Sequence, residues 1–370
     1  MEAAVGPLLP LLERERTAGR ALVLGILVHT AGSTYRKPGA LIAIAGSGEY
    51  AGLLSGGCLE GDLRERAHAV IETGAAQLVR YDLRGADELL WGLGLGCDGA
   101  MDILLLRCGP TNGWQPLAHL AAAHAAHAAT AIGVVVESGP GGPLPGGVVL
   151  PDSERSPMQA SALATPAVQA LLARAIGERR GCWLDGPAWR LFAVPLALPP
   201  RILLLGAGPD AVPVVDFAAR LGWKVTLVDH RPAYAVAEHF PAAEQVVLAQ
   251  LGALDAALGP GDFSGAVVMS HNLLSDLAYL RAVAATAIPY VGLLGPAPRR
   301  EKLLADLGRD AEALRPRLHA PVGLPLGGRS PESVALAIVS QLHAFLHRGL
   351  TEAGGLAHEP ASPRTAGTSA

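Results

Sequence analysis

Ser55-Gly56-Gly57-Cys58-Leu59-Glu60-Gly61 sets a cysteine among glycines with a carboxylate two positions on. Glycine lacks a Cβ and reaches positive φ, so backbone N–H groups in such a turn can crowd around a ligand. A thiol held there can face outward and react with an electrophile or a soft metal. Upstream, Gly32-Ser33-Thr34-Tyr35-Arg36-Lys37-Pro38-Gly39-Ala40 combines the Ser33 and Thr34 hydroxyls with Arg36 and Lys37. That set suits an anionic ligand such as a phosphate. A third glycine-rich segment, Leu93-Gly94-Leu95-Gly96-Cys97-Asp98-Gly99, carries another cysteine. Residue types alone leave open the alternative of tight turns around an edge strand. Cys108 and Cys182 end apolar stretches, where a small buried hydrophobe is the expected role.

The chain has 370 residues and a net charge of −4. The length predicts about two domains, and the charge gives no electrostatic footprint for nucleic acid. Half of the residues are hydrophobic but only 4% are aromatic, so Ala, Leu and Val must do the packing. The four cysteines form no CxxC pair, which argues against a zinc knuckle and suits a reducing compartment. The first residues lack the basic and apolar regions of a secretory signal. The Ala-rich run near His119 is too interrupted to span a bilayer. A soluble, cytoplasmic protein without membrane contact is expected.

Residues 7–20 read as an amphipathic helix, 21–29 as a buried strand, and 40–45 as a strand entering a hairpin at Gly46-Ser47-Gly48. Residues 59–73 read as a helix closed by Gly74, which places Cys58 at a helix N-terminus, where a thiol pKa is lowered and anions are attracted. Strands are expected over 77–83 and 101–106, a helix over 117–129 and a strand over 131–137. His119, His124 and His127 on that helix lack a nearby carboxylate or third ligand for a metal. A helix over 165–179 and paired strands over 181–184 and 189–194 complete the first half. The predicted domains are 1–195 and 196–348, with a disordered tail over 349–370.

After residue 200 the pattern alternates strand and helix, which predicts a doubly wound parallel sheet. Gly206-Ala207-Gly208-Pro209-Asp210-Ala211 is the G-x-G-x-x-A form of the dinucleotide fingerprint, and Asp229 ends the next strand. If NAD(P) binds, Asp229 would meet a ribose 2′-hydroxyl; Pro209 removes one donor from the phosphate seat. Ser270-His271-Asn272 lies at the carboxyl end of a strand, which makes His271 a candidate acid, base or ligand contact. Ser330-Pro331 opens a last helix over 331–345. The fold class expected is α/β, a mixed α+β N-terminal domain followed by a Rossmann-like doubly wound one.

These pieces, in this order, resemble the xanthine dehydrogenase accessory factor family (XdhC/CoxI) over roughly residues 10–345. The N-terminal match runs through residues 32–40, 55–62 and 94–97. The C-terminal match runs through Gly206-Ala207-Gly208, Val228-Asp229-His230-Arg231-Pro232, Ser270-His271-Asn272 and Tyr290-Val291-Gly292-Leu293-Leu294-Gly295. This chain has Pro209 where the family carries histidine, and Ser270-His271-Asn272 where it carries Thr-His-Asp. Gly295-Pro296-Ala297-Pro298-Arg299-Arg300 replaces its Gly-Ser-Arg-Arg-Lys-Arg, and Gly323-Leu324-Pro325-Leu326-Gly327 its Gly-Leu-Asp-Ile-Gly. These departures point to an altered C-terminal pocket.

The resemblance implies a maturation factor rather than a metabolic enzyme. Such a factor binds molybdenum cofactor, supports its sulfuration and helps insert it into a molybdenum hydroxylase apo-enzyme, with a cysteine desulfurase as sulfur donor and a homodimer as one open assembly. On that reading Cys58 and Cys97 are metal ligands or sulfur carriers, and Glu60 bonds the pterin or holds the thiol proton. Ser33, Arg36, Lys37, Gly56 and Gly57 take the phosphate end. Gly206, Gly208, Asp229 and His271 are then the second domain's contacts. Two alternatives stand beside it: an NAD(P)-dependent oxidoreductase using His271 as acid or base, and a scaffold that only holds two partner proteins.

Overall fold

The computed structural model describes residues 4–57, 59–82, 99–151, 163, 165–254 and 262–347. The chain divides into two compact units, Met1–Leu198 and Pro199–Ala370.

In the first unit β1 (Leu22–Gly32), β2 (Leu41–Ala45), β3 (Tyr50–Gly52), β4 (Gln77–Asp82) and β5 (Gly99–Cys108) form a five-stranded sheet in the order β3-β2-β1-β5-β4. Every pairing in it is antiparallel. β1 reads as one apolar run because both its faces are covered. Leu22, Leu24, Ile26 and Val28 pack with α1 (Leu9–Thr17) and a second sheet; Val23 and Leu27 pack under α2 (Glu60–Thr73). Gly25 lies on the α2 side, where a Cβ would come within 2.6 Å of Ile42 Cγ2.

The second sheet has the order β7-β6-β9-β8, from β6 (Ala131–Ser138), β7 (Val148–Val149), β8 (Cys182–Asp185) and β9 (Trp189–Pro195). Its outer face is covered by α4 (Pro166–Glu178), through Val168, Leu171, Leu172 and Ala175. The unit is therefore layered helix, sheet, sheet, helix. α3 (Leu117–Ala125) ends before His127, which sits at φ 51, so His124 and His127 do not share a helix face. His119 bonds Thr130 at 2.8 Å, and burial lowers its pKa. Among the described residues no group of three or more His, Cys, Asp or Glu gathers for a metal.

The second unit is a parallel sheet in the order β12-β11-β10-β13-β14-β15. Its strands are β10 (Arg201–Leu205), β11 (Lys224–Asp229), β12 (Gln245–Leu248), β13 (Gly265–Val268), β14 (Val291–Leu293) and β15 (Leu318–His319). Ile202 and Leu204 pack with α5 (Ala211–Arg220) and α9 (Pro331–Leu346). Leu203 and Leu205 pack on the other face with α6 (Leu273–Ala284), α7 (Ala297–Leu307) and α8 (Asp310–Leu314). This is the expected doubly wound α/β architecture. Ser330 caps α9 by accepting from Ser333 N–H at 3.3 Å. Among the described residues no helix is long and apolar enough to cross a membrane.

Candidate functional site

Strand direction decides which loops of the first sheet meet. Gly32, the end of β1, pairs with Gly99, the start of β5. Asp82, the end of β4, pairs with Ala100, and Gly52, the end of β3, pairs with Ile42 near the start of β2. Antiparallel order therefore brings residues 33–40, 53–57 and 59, together with Asp82 and Gly99, to one end of one sheet. The described residues of the first two glycine-rich segments, and Gly99 of the third, belong to that rim.

Close backbone contacts fix its edges. A Cβ on Gly99 would stand 2.4 Å from the Ser33 carbonyl oxygen, so β5 begins directly against the Ser33-Thr34 loop. Leu27 and residues 39–40 exchange backbone bonds of 2.7 and 2.9 Å, and Thr34 Oγ1 donates to the Arg36 carbonyl at 2.9 Å. Ser33 and Lys37 are exposed, Arg36 is half-buried, and Tyr35 is an exposed aromatic beside them.

The turn around residue 58 is held by Ser55 and Glu60. Glu60 is only 2% exposed. Its Oε1 accepts from Ser55 N–H at 3.0 Å and Leu54 N–H at 3.4 Å, while its Oε2 accepts from the Ser55 hydroxyl. The same hydroxyl oxygen accepts from Gly57 N–H at 3.3 Å and Leu59 N–H at 3.2 Å, on either side of position 58. Burial pushes the Glu60 carboxyl up, but bonds from the Ser55 hydroxyl and the Ser55, Glu60 and Leu54 N–H groups outweigh it and hold it below its ordinary value. Glu60 thus fixes the turn's shape. Gly56 and Gly57 are exposed, and Gly57 takes φ +107 with open space where a Cβ would be. The same first turn of α2 carries Asp62, bonded to Arg66 at 2.7 Å and to the Tyr81 phenol. Burial, then the Asp62 carboxylate, pushes that phenol well up. Cys58 and Cys97 lie outside the described residues.

The second unit has its crevice where strand order reverses, between β10 and β13, the usual ligand position in open α/β sheets. Gly206 sits at φ +117, and a Cβ on it would fall 2.7 Å from Ser270 N, so glycine is required for the two strand ends to approach. Two of the donors around it are occupied, the first being Gly206 N–H, which bonds the Val228 carbonyl at 2.9 Å. Ala207 N–H donates to Asp229 Oδ2 at 2.7 Å. Asp229 is fully buried and also accepts from Arg231 N–H at 2.9 Å and from the Arg231 guanidinium at 2.9 and 2.7 Å. Burial raises its carboxyl, but these bonds prevail and lower it. Pro209 has no N–H. Asp210 Oδ1 lies 2.6 Å from where a Cβ on Gly208 would stand, and its Oδ2 meets His271 Nε2 at 2.7 Å. A carboxylate therefore stands beside the loop where a pyrophosphate would need N–H donors. The residues present do not fit a dinucleotide: Asp229 is turned to its own loop rather than toward a ribose, and no hydride chemistry follows from them.

His271 is exposed and held at φ 58, a backbone state uncommon outside glycine. Below it, fully buried Asp276 accepts from the Ser270 hydroxyl and from Arg299 Nε at 3.1 Å and Nη2 at 2.6 Å. Sequence reasoning found His271 and Asp229 but missed Asp210, Arg231, Asp276 and Arg299. Their signal was a carboxylate or arginine next to each strand end, which gains meaning only once the rim is assembled.

A two-sheet unit with a glycine-rich rim, joined in sequence to a Rossmann-type unit with an acidic crevice, defines the class. A family model described as the XdhC and CoxI family matches residues 16–82, and one described as the XdhC Rossmann domain matches residues 202–342. The chain is 30% identical over 328 residues to a protein of Bacillus subtilis (strain 168) described as a probable xanthine dehydrogenase subunit, covering 86% of this chain and 92% of that one. This chain belongs to the XdhC and CoxI family. It is also 23% identical over 328 residues to the "Molybdenum cofactor insertion chaperone PaoD" of Escherichia coli (strain K12), across 88% of this chain and 83% of that protein. A crystal structure described as a xanthine dehydrogenase from Bacillus halodurans superposes with a TM-score of 0.73 at 26% identity, covering 96% of this chain and 98% of that one.

Proposed function

We propose that this protein is an accessory factor that holds molybdenum cofactor, supports its sulfuration and helps insert it into a molybdenum hydroxylase. The observation that carries the reading is the gathering of the 33–40 loop, the Ser55–Gly57 turn and Gly99 at one end of the first sheet, in a chain of this family. The cofactor is cargo. Its phosphate end is met by Arg36, Lys37, the Ser33 hydroxyl and the exposed backbone at Gly56 and Gly57. Its soft dithiolene and metal end is met by Cys58 and Cys97, as ligands or sulfur carriers. Glu60 is a positioning residue, acting through the turn that presents Cys58. In the second unit His271 is the exposed contact, and Gly206, Gly208 and Asp229 shape the crevice beneath it. The description of PaoD as an insertion chaperone supports the role. The partners are the apo-hydroxylase and a cysteine desulfurase as sulfur donor.

Metal and pterin analysis tests this. Protein purified from a molybdenum-replete, cofactor-producing host should carry both, and Cys58→Ala and Cys97→Ala should carry less. Wild type free of molybdenum and pterin refutes the reading. Full activation of a partner hydroxylase by Cys58→Ala would favour a scaffold that only joins two proteins.

A further inference from the structure

Tyr35 stands in the 33–40 loop with 63% of its surface exposed, more than any other large aromatic among the described residues. We propose, resting on the cofactor-holding role of the rim, that its ring is the stacking surface for the planar pterin of the cargo. One exposed aromatic carries little by itself. The other two exposed tyrosines show the contrast. Tyr234 has the Arg231 guanidinium 3.8 Å over its ring, and Tyr50 begins β3, at the end of that strand away from the rim. Among the described residues no aromatic ring or guanidinium packs on Tyr35.

What distinguishes Tyr35 is a fixed backbone and the chemistry on either side of it. Exposure alternates along the loop: Ser33, Tyr35 and Lys37 are exposed, while Thr34 and Arg36 are half-buried. The inward residues tie the segment down. Thr34 Oγ1 donates to the Arg36 carbonyl at 2.9 Å, a bond that spans Tyr35. The Thr34 methyl lies 2.8 Å from where a Cβ on Gly99 would stand, so the start of β5 backs the loop. Beyond it, Ala40 N–H donates to the Lys37 carbonyl at 3.2 Å and Gly39 N–H to the Leu27 carbonyl at 2.7 Å. The outward residues are a hydroxyl, an aromatic ring and an ammonium at alternate positions. The hydroxyl and the ammonium suit the cargo's phosphate. A ring between them suits a flat heterocycle covalently joined to that phosphate. A tyrosine has only two side-chain torsions to fix, so on a tied backbone it offers a large contact face at small entropic cost. The soft metal end of the cargo makes no use of it, so Tyr35 selects for the pterin and not for the metal.

Fluorescence titration of the full chain tests it, with neopterin monophosphate as the probe that joins ring to phosphate. Inorganic phosphate and cytidine monophosphate serve as competitors. Stacking quenches a pterin's fluorescence, so wild type should darken the probe as it binds. Tyr35→Ala should weaken the probe at least roughly fivefold, the loss expected when an aromatic stacking partner is truncated, and should abolish most of the quench. Its competition by phosphate should stay as in wild type. Tyr35→Phe keeps the ring and should bind like wild type. Lys37→Ala should weaken probe and phosphate alike while keeping the quench at saturation. The Tm of Tyr35→Ala should match wild type, because the exposed ring has no described packing to lose; a lower Tm would overturn the platform. Unchanged probe affinity in Tyr35→Ala overturns the proposal, as does a loss in Tyr35→Phe equal to that in Tyr35→Ala. Cytidine monophosphate binding as tightly as the probe, with the same dependence on Tyr35, would assign the ring to a nucleobase and overturn it too. If wild type purified from a cofactor-producing host carries molybdenum and pterin and Tyr35→Ala carries as much, the stacking alone is wrong; wild type free of both overturns the rim reading with it.

Discussion

Glu60→Gln probes how the cysteine-bearing turn keeps its shape. The carboxylate serves Leu54 N–H, Ser55 N–H and the Ser55 hydroxyl at once. A glutamine has one acceptor oxygen, which can keep the two N–H groups. Its amide nitrogen would then face the Ser55 hydroxyl oxygen, already occupied by Gly57 and Leu59 N–H, and the hydroxyl proton would lose its acceptor. Bonds to a charged acceptor are worth about 1.5–3 kcal/mol and neutral ones about 1 kcal/mol, so the local loss is about 1–2 kcal/mol. That corresponds to roughly 5–30-fold faster opening of the turn. Hydrogen exchange read by mass spectrometry over residues 54–60 measures it, with β10 in the second unit as an internal control. The effect has a defined pH dependence. The folded Glu60 pKa is lowered, so its stabilisation is complete above the unfolded carboxylate value of about 4.3 and is lost as pH falls through the lower folded value. The gap between wild type and variant should be full near neutral pH and close in acid, after correction for intrinsic exchange. Unchanged exchange at neutral pH, or a gap of the same size in acid, would refute the account.

Two further outcomes are expected. Titration with NADH, followed by its fluorescence, should show no binding at millimolar concentration, because Asp210 and Asp229 close the phosphate and ribose positions; saturable binding would contradict that geometry. Gly99→Ala should lower the Tm of the first unit by overpacking worth about 1–3 kcal/mol, since the new methyl meets the Ser33 backbone rather than a movable side chain; a wild-type Tm would show that the rim is looser than its contacts imply.

Local signals in the sequence located much of this fold. The apolar runs of β10 and β11 announce a parallel sheet, Gly74 closes α2 at φ 72, and Ser330 opens α9. The signals fail where pairing partners are distant. β1 reads from its own residues as ending at His29, yet it continues to Gly32 because β5 supplies a partner that far, across a bulge between Leu27 and His29. β12 and β15 are short and only partly buried, so neither carries a period long enough to see. Each glycine-rich motif was legible alone; the meeting of the 33–40 loop, the Ser55–Gly57 turn and Gly99 at one rim depends on strand order, which no single segment encodes. Asp229 was legible as the residue ending β11, but the direction of its carboxylate was set by Arg231 and Ala207 N–H.

The pairing of Asp82 with Ala100 has a consequence for how such proteins diversify. The 83–98 connection leaves and rejoins the sheet at neighbouring paired positions, so its two ends are closed by the hairpin itself. Lengthening a loop whose ends are already joined costs only about 0.6 kcal/mol per doubling. The connection can therefore be lengthened without disturbing strand register, so sequence can be inserted there onto an unchanged scaffold.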